Sequence, residues 1–207
     1  MKPFLAALIL AVFFVSGAHA QASIPAGSAQ AAVDEFQTGM LGILKKTSGQ
    51  PFAKRVEALC PLLEAKMDVK LQSAMAVGRA TWNNWSPDQR TTYTDKFRQY
   101  LCAIYASRFR SFTGETLVVV GDRPGPAGKI IVNSEVRIPQ EDSVAIDYVM
   151  HKDGGDWKVA DLYLGGRISE VALRRSEFAD VIRTRGFDGL IAAITAKTAA
   201  QGATRQR

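Results

Sequence analysis

The sequence predicts a single-domain α+β protein in which helices precede and follow a four-stranded antiparallel sheet. Three observations predict this fold. Apolar residues recur at helical spacing through the first half, four short β-prone runs separated by turn sequences come next, and helical periodicity returns near the C-terminus. The chain of 207 residues has no internal repeat and no linker, so we expect one domain with a sizeable core.

Apolar stripes predict the first three helices. The first stripe covers residues 33–44 and is followed by a Ser-Gly-Gln-Pro sequence that ends the helix. The second covers 52–63, where Pro61 disturbs it. The third covers 67–82, and Asp68 is its expected N-cap.

A longer fourth helix is predicted from Ser86 to about Phe112. Ser86 is a good capping residue, Pro87 occupies the first helical position and Gln89 the third. This arrangement is typical of a capping box, so the start of this helix is well defined.

Four strands are predicted after this helix. Turn sequences rich in Gly, Pro and Asp separate them, so we expect an antiparallel meander with short connections. The predicted strands cover residues 115–120, 129–138, 144–151 and 156–164.

The predicted chain closes with two helices and a tail. The helices cover 169–185 and 188–198, and Gly186 lies between them as a helix-ending residue. Residues 200–207 are polar and are expected to form a flexible tail.

The N-terminus has the pattern of a cleaved secretory signal peptide over residues 1–20. Lys2 is followed by an apolar run over 5–15, and Ala18 and Ala20 occupy the two positions that a signal peptidase reads. The run is too short to anchor stably in a bilayer, and no second stretch is long enough for a membrane helix. We therefore expect a soluble domain over 21–199 that works outside the cytoplasm.

Composition excludes several function classes. The net charge is +6, but export argues against nucleic acid as the partner and favours either anionic lipid headgroups or plain solubility. His151 is the one histidine left after cleavage, which is too few for a usual zinc site. Nucleophile-elbow, phosphate-loop and Cys-x-x-Cys motifs are absent. We expect no metal, no cofactor and no catalytic residues.

Cys60 and Cys102 are the two cysteines of the chain. An oxidising compartment permits a disulfide between them. Their spacing does not show whether the two Cα atoms come close enough, so the sequence leaves the pairing open.

Apolar residues cover about half of the circumference of the long helix, more than the roughly 100° that a simple two-layer contact needs. The helix therefore either lies in the centre of the core or forms one wall of an apolar cavity. The candidate lining residues on this helix are Phe97, Tyr100, Leu101, Ile104, Tyr105 and Phe109.

Arg108 falls within this apolar arc. A buried cation must find a partner, so Arg108 either pairs with Asp147 or Asp161 on the predicted strands or holds an anionic headgroup at a pocket mouth. Arg175 poses the same question on a later helix, where an exposed, snorkelling side chain is expected.

The predicted strands supply further candidate lining, although alternation alone does not show which sheet face meets a pocket. In the fourth strand, alternation places Trp157, Val159, Asp161 and Tyr163 on one face. Asp161 with Tyr163 could also serve as the base and donor of a small pocket enzyme, which is an alternative function. The candidate lining residues are Val132, Val136, Ile146, Tyr148, Trp157, Val159 and Tyr163.

Several ordered segments carry a family resemblance. They are Tyr-Ala-Ser-Arg-Phe at 105–109, the strand and Gly-Gly turn at 156–166, Arg-Ser-Glu-Phe at 175–178 and Gly-Phe-Asp-Gly-Leu at 186–190. Together they resemble the MlaC family of periplasmic phospholipid-binding proteins, also called the toluene-tolerance auxiliary component of an ABC transporter. Within that family, the chain is most similar to the hopanoid-associated HpnM branch.

The resemblance implies a twisted four-stranded sheet and helices around a deep apolar pocket that carries lipid acyl chains. It implies a periplasmic carrier that shuttles phospholipid or hopanoid between membranes, with an inner-membrane transporter complex as partner and transient docking at a membrane surface. It implies no metal, nucleotide or catalytic centre. A non-catalytic adaptor of the transporter, with a filled core, remains a further alternative.

Overall fold

The computed structural model describes residues 24–203. The predicted signal peptide at 1–20 therefore lies outside the described residues, as does the last part of the predicted tail at 204–207. None of the helices within 24–203 is long and apolar enough to cross a membrane.

Four helices come first and account for the N-terminal stripes. α1 spans Ala29–Thr47, α2 spans Phe52–Lys66, α3 spans Val69–Val77 and α4 spans Arg79–Asn84. Asp68 caps α3 as expected, since its Oδ1 accepts a hydrogen bond from the backbone N–H of Leu71 at 2.8 Å.

The length predicted for the third helix was wrong, because Gly78 divides this segment into α3 and α4. Gly78 has φ 82° and ψ 151°, a left-handed conformation that interrupts the helix and that side chains other than glycine rarely adopt. The Arg175 guanidinium packs directly against this glycine, with Nη2 3.2 Å from the place a Cβ would take. Arg175 is exposed, as the sequence predicted.

α5 spans Pro87–Arg108 and begins with the predicted capping box. The backbone N–H of Gln89 donates to Ser86 Oγ at 3.2 Å, and the backbone N–H of Ser86 donates to Gln89 Oε1 at 3.0 Å. The helix ends four residues before the predicted Phe112, because Phe109 leaves helical geometry with ψ 77°.

The sheet is an antiparallel meander of five strands in chain order. The four predicted strands are confirmed, and a two-residue edge strand was not foreseen. The strands are β1 Thr116–Pro124, β2 Ile130–Arg137, β3 Val144–Asp153, β4 Asp156–Leu164 and β5 Ile168–Ser169.

Two bulges alter the predicted strand pattern. β1 continues past its predicted end because the pairing shifts between Val119 and Gly121. In β4, Val159 and Asp161 pair with consecutive residues of β3, so Ala160 is the extra residue. The alternation predicted for β4 was therefore wrong, since the bulge brings Leu162 to the same face as Val159.

α6 spans Glu170–Ala203 and is interrupted at Gly186, which has φ 63° and ψ −159°. The two predicted C-terminal helices are thus its two halves. Residues 200–203, predicted as the start of a flexible tail, form its last turn. Contacts hold that turn in place: Ser107 Oγ lies 2.7 Å from Gln201 Oε1, and Gly202 packs against the Phe52 ring.

Two apolar cores share the long helix α5. The sheet-side core packs α1 and α2 against the sheet, with Phe36, Leu63 and Tyr148 near its centre. The helix-side core packs α3, α5 and α6 together around Tyr93 and Phe178. Cys60 on α2 and Cys102 on α5 form a disulfide that joins these two helices.

Candidate functional site

A small cavity lies where the two cores meet. Its volume is about 30 Å³, which leaves room for about two water molecules. Tyr105, Met67 and Leu162 line it from the sheet-side core, and Phe97 and Ile104 line it from the helix-side core. We call this boundary the seam.

Local structure explains how the seam is built. α5 presents Tyr100, Leu101 and Ile104 to it along one side. The start of α3 is held at the edge of β4, because Gln72 Nε2 donates to the Val159 carbonyl at 2.8 Å. α6 begins directly after β5 and closes the remaining side.

Five of the predicted lining residues therefore lie at the cavity, all of them on α5: Phe97, Tyr100, Leu101, Ile104 and Tyr105. The lining predicted from the sequence did not include the residues supplied by other elements, although Asp161 among them had been considered as a partner of Arg108 and as a base. They are Met67, Gln72, Asp161, Leu162, Glu170, Val171 and Arg174. Leu162 could have been found only with knowledge of the bulge at Ala160.

The structure brings six other predicted lining residues together in the sheet-side core, beside the seam. Val132, Tyr148 and Val159 are fully buried there, and Phe109, Ile146 and Trp157 pack against them half-buried. The rings of Tyr105 and Phe109 are nearly parallel, and their centres lie 5.9 Å apart. Because Tyr105 lines the cavity, this contact places Phe109 and the residues around it next to the cavity.

Val136 and Tyr163 belong to neither core. Val136 pairs with Val144, an exposed residue at the end of the sheet. Tyr163 pairs with Asp147, whose carboxylate meets Arg123 at 3.0 Å.

Arg108 does not pair with Asp147 or Asp161, as the sequence analysis had allowed. Its Nη2 lies 3.0 Å from Glu170 Oε1, and its side chain is 43% exposed. Asp147 is taken by Arg123, and Asp161 lies at the junction before α6. The sequence analysis did not consider Glu170 as a partner, because nothing in the local sequence shows that the start of α6 lies beside the end of α5.

The buried arginine of the site is Arg174, which sequence reasoning also missed. Its side chain is 10% exposed and pairs with Glu170 at 3.0 Å and Glu177 at 3.2 Å. Its guanidinium also lies 5.5 Å from the centre of the Tyr100 ring. A buried cation with two carboxylates and an aromatic face is well compensated.

Asp161 acts as an anchor for the start of α6. Its Oδ2 accepts the Ser169 hydroxyl at 2.5 Å, and its Oδ1 accepts the backbone N–H groups of Leu162 and Val171. Burial raises the pKa of this carboxyl above its ordinary value, and these hydrogen bonds oppose the rise. Its oxygens are committed to structure, which disfavours the base role considered for Asp161 with Tyr163.

Buried polar groups also occur inside the sheet-side core. Gln37 is 1% exposed, and neither of its side-chain polar atoms has a hydrogen-bond partner of good geometry among the described residues. It lies beside the Tyr148 hydroxyl. Burial raises the pKa of both Tyr148 and Tyr105, so these phenols stay neutral near neutral pH.

One group of potential metal ligands occurs among the described residues: Cys60, Glu64 and Cys102. The two cysteines form the disulfide, so they offer no thiolate to a metal. This cluster is therefore a structural link between α2 and α5.

The antiparallel sheet, the flanking helices and the seam define a small α+β protein with an apolar cavity between its two cores. The chain belongs to the MlaC family: the family model described as MlaC protein matches residues 34–196. The structure is also similar to that of a phospholipid-binding protein from Ralstonia solanacearum, solved in complex with a phospholipid. The TM-score is 0.75 and the sequence identity 26%, and the match covers 84% of this chain and 98% of that chain.

Proposed function

We propose that this protein is a periplasmic carrier that binds a lipid at the seam and shuttles it between membranes as the soluble component of a transport system. The observation that carries the proposal is the seam itself. It is lined mainly by apolar side chains from three elements, in a member of the MlaC family whose structural neighbour was solved with a phospholipid.

The seam must widen to accept a lipid. A cavity of about 30 Å³ is far below the roughly 300–1,000 Å³ of ordinary ligand pockets, so an acyl chain requires the two cores to separate. Transfer of a chain from water into the seam contributes about 0.8 kcal/mol per methylene, which offsets the loss of the closed contacts. Contacts with the bound lipid thus replace contacts between the cores.

The headgroup is expected at the edge of the seam, where Arg108, Glu170 and Arg174 lie. The tails would contact the α5 residues and the helix-facing side of the sheet, including Tyr148 and Ile146. The cargo is either a phospholipid or, following the HpnM resemblance, a hopanoid. The proposed partners are an inner-membrane transporter complex and, transiently, a membrane surface.

Lipid extraction from the purified protein followed by mass spectrometry tests this proposal. We expect a bound phospholipid or hopanoid, and uptake of either labelled lipid by the delipidated protein. Leu101→Asp places a charge in the cavity wall and should abolish uptake. Leu62→Asp is the matched control, because Leu62 is also half-buried on a helix but lies outside the cavity.

The carrier proposal fails if the folded protein contains no lipid and takes up neither probe. It also fails if Leu101→Asp and Leu62→Asp, at equal thermal stability, reduce uptake equally. In that case the nearly filled interior favours the second candidate, a non-catalytic adaptor that binds its transporter empty. Pull-down of the transporter by the lipid-free protein would then support the adaptor.

A further inference from the structure

A polar cleft separate from the seam lies at the C-terminal end of α5. It has a volume of about 620 Å³ and is bordered by the start of α2, the end of α5 and the end of α6. Its polar side chains are Gln50, Arg55, Ser107, Arg108, Arg110, Ser111 and Gln201. None of the described residues that line it is acidic, although three are arginines.

Arg55 is the most deeply placed of these side chains. The residue is 8% exposed, yet it has no carboxylate partner within residues 24–203. Its Nε donates to the Ala106 carbonyl at 2.9 Å, and its Nη1 donates to the Gln50 carbonyl. A guanidinium carries five N–H donors, so these two bonds leave donors for another acceptor.

Arg110 places a second positive charge near Arg55. It has no ion pair among the residues that the structure describes, and its charge adds to burial in lowering the pKa of Arg55. Two neighbouring guanidiniums without a carboxylate repel each other, and a bound anion would remove that repulsion.

The start of α2 adds to the positive potential of the cleft. Pro51 occupies the N-cap and offers no capping side chain, and the first turn contains no acidic residue. Because Gly49 to Phe52 border the cleft, the positive end of the helix dipole lies at its edge. The positive charge of the cleft, the burial of Arg55 and the unused N–H donors all favour an anionic ligand that accepts hydrogen bonds.

We propose that this cleft is a binding site for a phosphoryl anion, that is, a phosphate monoester or diester. Two arginine forks and the hydroxyl of Ser111 provide the multiple donors that tetrahedral phosphate oxygens accept. The phosphoryl group can belong to an anionic lipid headgroup at a membrane surface or to a soluble phosphate ester. The site does not depend on lipid carriage at the seam.

Arg108 connects this cleft to the seam. It borders the cleft, and its ion pair partner Glu170 lines the seam cavity. An anion in the cleft competes with Glu170 for Arg108 and weakens the link between α5 and α6. This coupling, unlike the anion site, rests on the proposed carrier function, and it would make lipid exchange faster when the cleft is occupied.

Titration of the purified protein with inorganic phosphate, followed by NMR of the arginine Nε–H groups, tests the site. We expect saturable shifts of the Arg55 and Arg110 signals. Arg110→Gln should weaken phosphate binding about tenfold or more, because it removes a charged fork. Arg79→Gln is the matched control: it removes the same charge from an exposed residue on α4, which borders the other end of α5.

Vesicles distinguish the two sources of the phosphoryl group. They contain phosphatidylcholine alone or with about one third phosphatidylglycerol, and binding is measured by co-sedimentation. A larger loss of phosphatidylglycerol-dependent binding for Arg110→Gln than for Arg79→Gln supports a lipid headgroup. Loss of phosphate binding alone supports a soluble ester.

The proposal is overturned if phosphate does not shift the Arg55 signal, or if Arg110→Gln and Arg79→Gln weaken phosphate binding equally. Arg55→Lys keeps the positive charge in the cleft. Its melting temperature shows whether weaker binding comes from a lost contact or from unfolding. At unchanged melting temperature, it should bind phosphate more weakly than the parent protein, since lysine lacks the fork.

Discussion

Arg108 near the end of α5 and Glu170 at the start of α6 form an ion pair across the edge of the seam, with 3.0 Å between Nη2 and Oε1. The same carboxylate also holds the buried Arg174. Glu170 thus pairs with one exposed arginine and one buried arginine. Removal of Glu170 and removal of Arg108 should therefore change stability by different amounts.

Glu170→Gln should destabilise the protein more than Arg108→Gln. The glutamine leaves Arg174 with Glu177 as its remaining carboxylate, and we expect a loss of about 1–3 kcal/mol because a buried cation becomes undercompensated. Arg108 is half-exposed, so its removal should cost less than about 1 kcal/mol. Urea unfolding of both variants measures the difference, and equal losses would contradict this account of Glu170.

Removal of the disulfide should lower stability substantially. Cys60 and Cys102 are separated by 42 residues, and the chain-entropy model gives about 4 kcal/mol for a loop of that length. The Cys60→Ser/Cys102→Ser double variant should therefore unfold at lower urea than the oxidised protein. Reduction of the parent protein with dithiothreitol is the control, and it should reproduce most of the same loss. No change in either sample would mean that α2 and α5 are held by packing alone.

Tyr93→Phe should not destabilise the protein and should raise its stability by up to about 1 kcal/mol. Tyr93 is fully buried in the helix-side core, and its hydroxyl has no hydrogen-bond partner among residues 24–203. Phenylalanine keeps the ring contacts with Trp85 and Phe97 and removes the unsatisfied group. Thermal melts measure the effect.

Tyr93→Ala is the contrasting variant, since it removes the ring as well. It should cost about 3–5 kcal/mol through the cavity it leaves. If Tyr93→Phe were also strongly destabilising, the hydroxyl would have a partner, such as a buried water.

Asp161→Asn should change how stability depends on pH. Because the folded protein raises the pKa of this carboxyl, the folded state holds the proton more tightly than the unfolded state. The stabilising effect of protonation is present below the ordinary value of 3.8 and is lost as pH rises through the folded pKa. The parent protein should therefore become less stable relative to Asp161→Asn as pH rises above about 4.

Urea unfolding of the two proteins at a series of pH values from about 4 upward measures this effect. The difference in unfolding free energy between the two proteins also includes the effect of Asp161 on the hydrogen bonds with Ser169 and Val171. The change of that difference with pH is therefore the quantity that reports the pKa. A difference that stays constant with pH would contradict the raised pKa.

Elements with strong local signals were predicted well. The capping box of Ser86 and Gln89 placed the start of α5, and turn sequences rich in Gly, Pro and Asp separated the four main strands. Gly186 marked the break in α6. These features depend on residues close together in the chain, so sequence contains the information needed to place them.

The candidate site was predicted in part. The apolar arc of α5 identified the five cavity residues on that helix, from Phe97 to Tyr105. The sheet contribution could not be predicted, since the bulge at Ala160 exchanges the faces of β4 and moves Leu162 to the helix side. Whether a strand takes an extra residue depends on its partner strand and on the helices packed over it.

The sequence by itself determined the order of the main helices and strands, the capped start of α5, the break at Gly186 and the excess of apolar surface on α5. Tertiary structure alone decided that Cys60 meets Cys102, that Arg108 pairs with Glu170 rather than an aspartate, and that the seam is nearly closed. The physical reason is the range of the interactions. Caps and turns are satisfied within a few residues, whereas ion pairs, disulfides and packing depend on which distant segments the whole fold brings into contact.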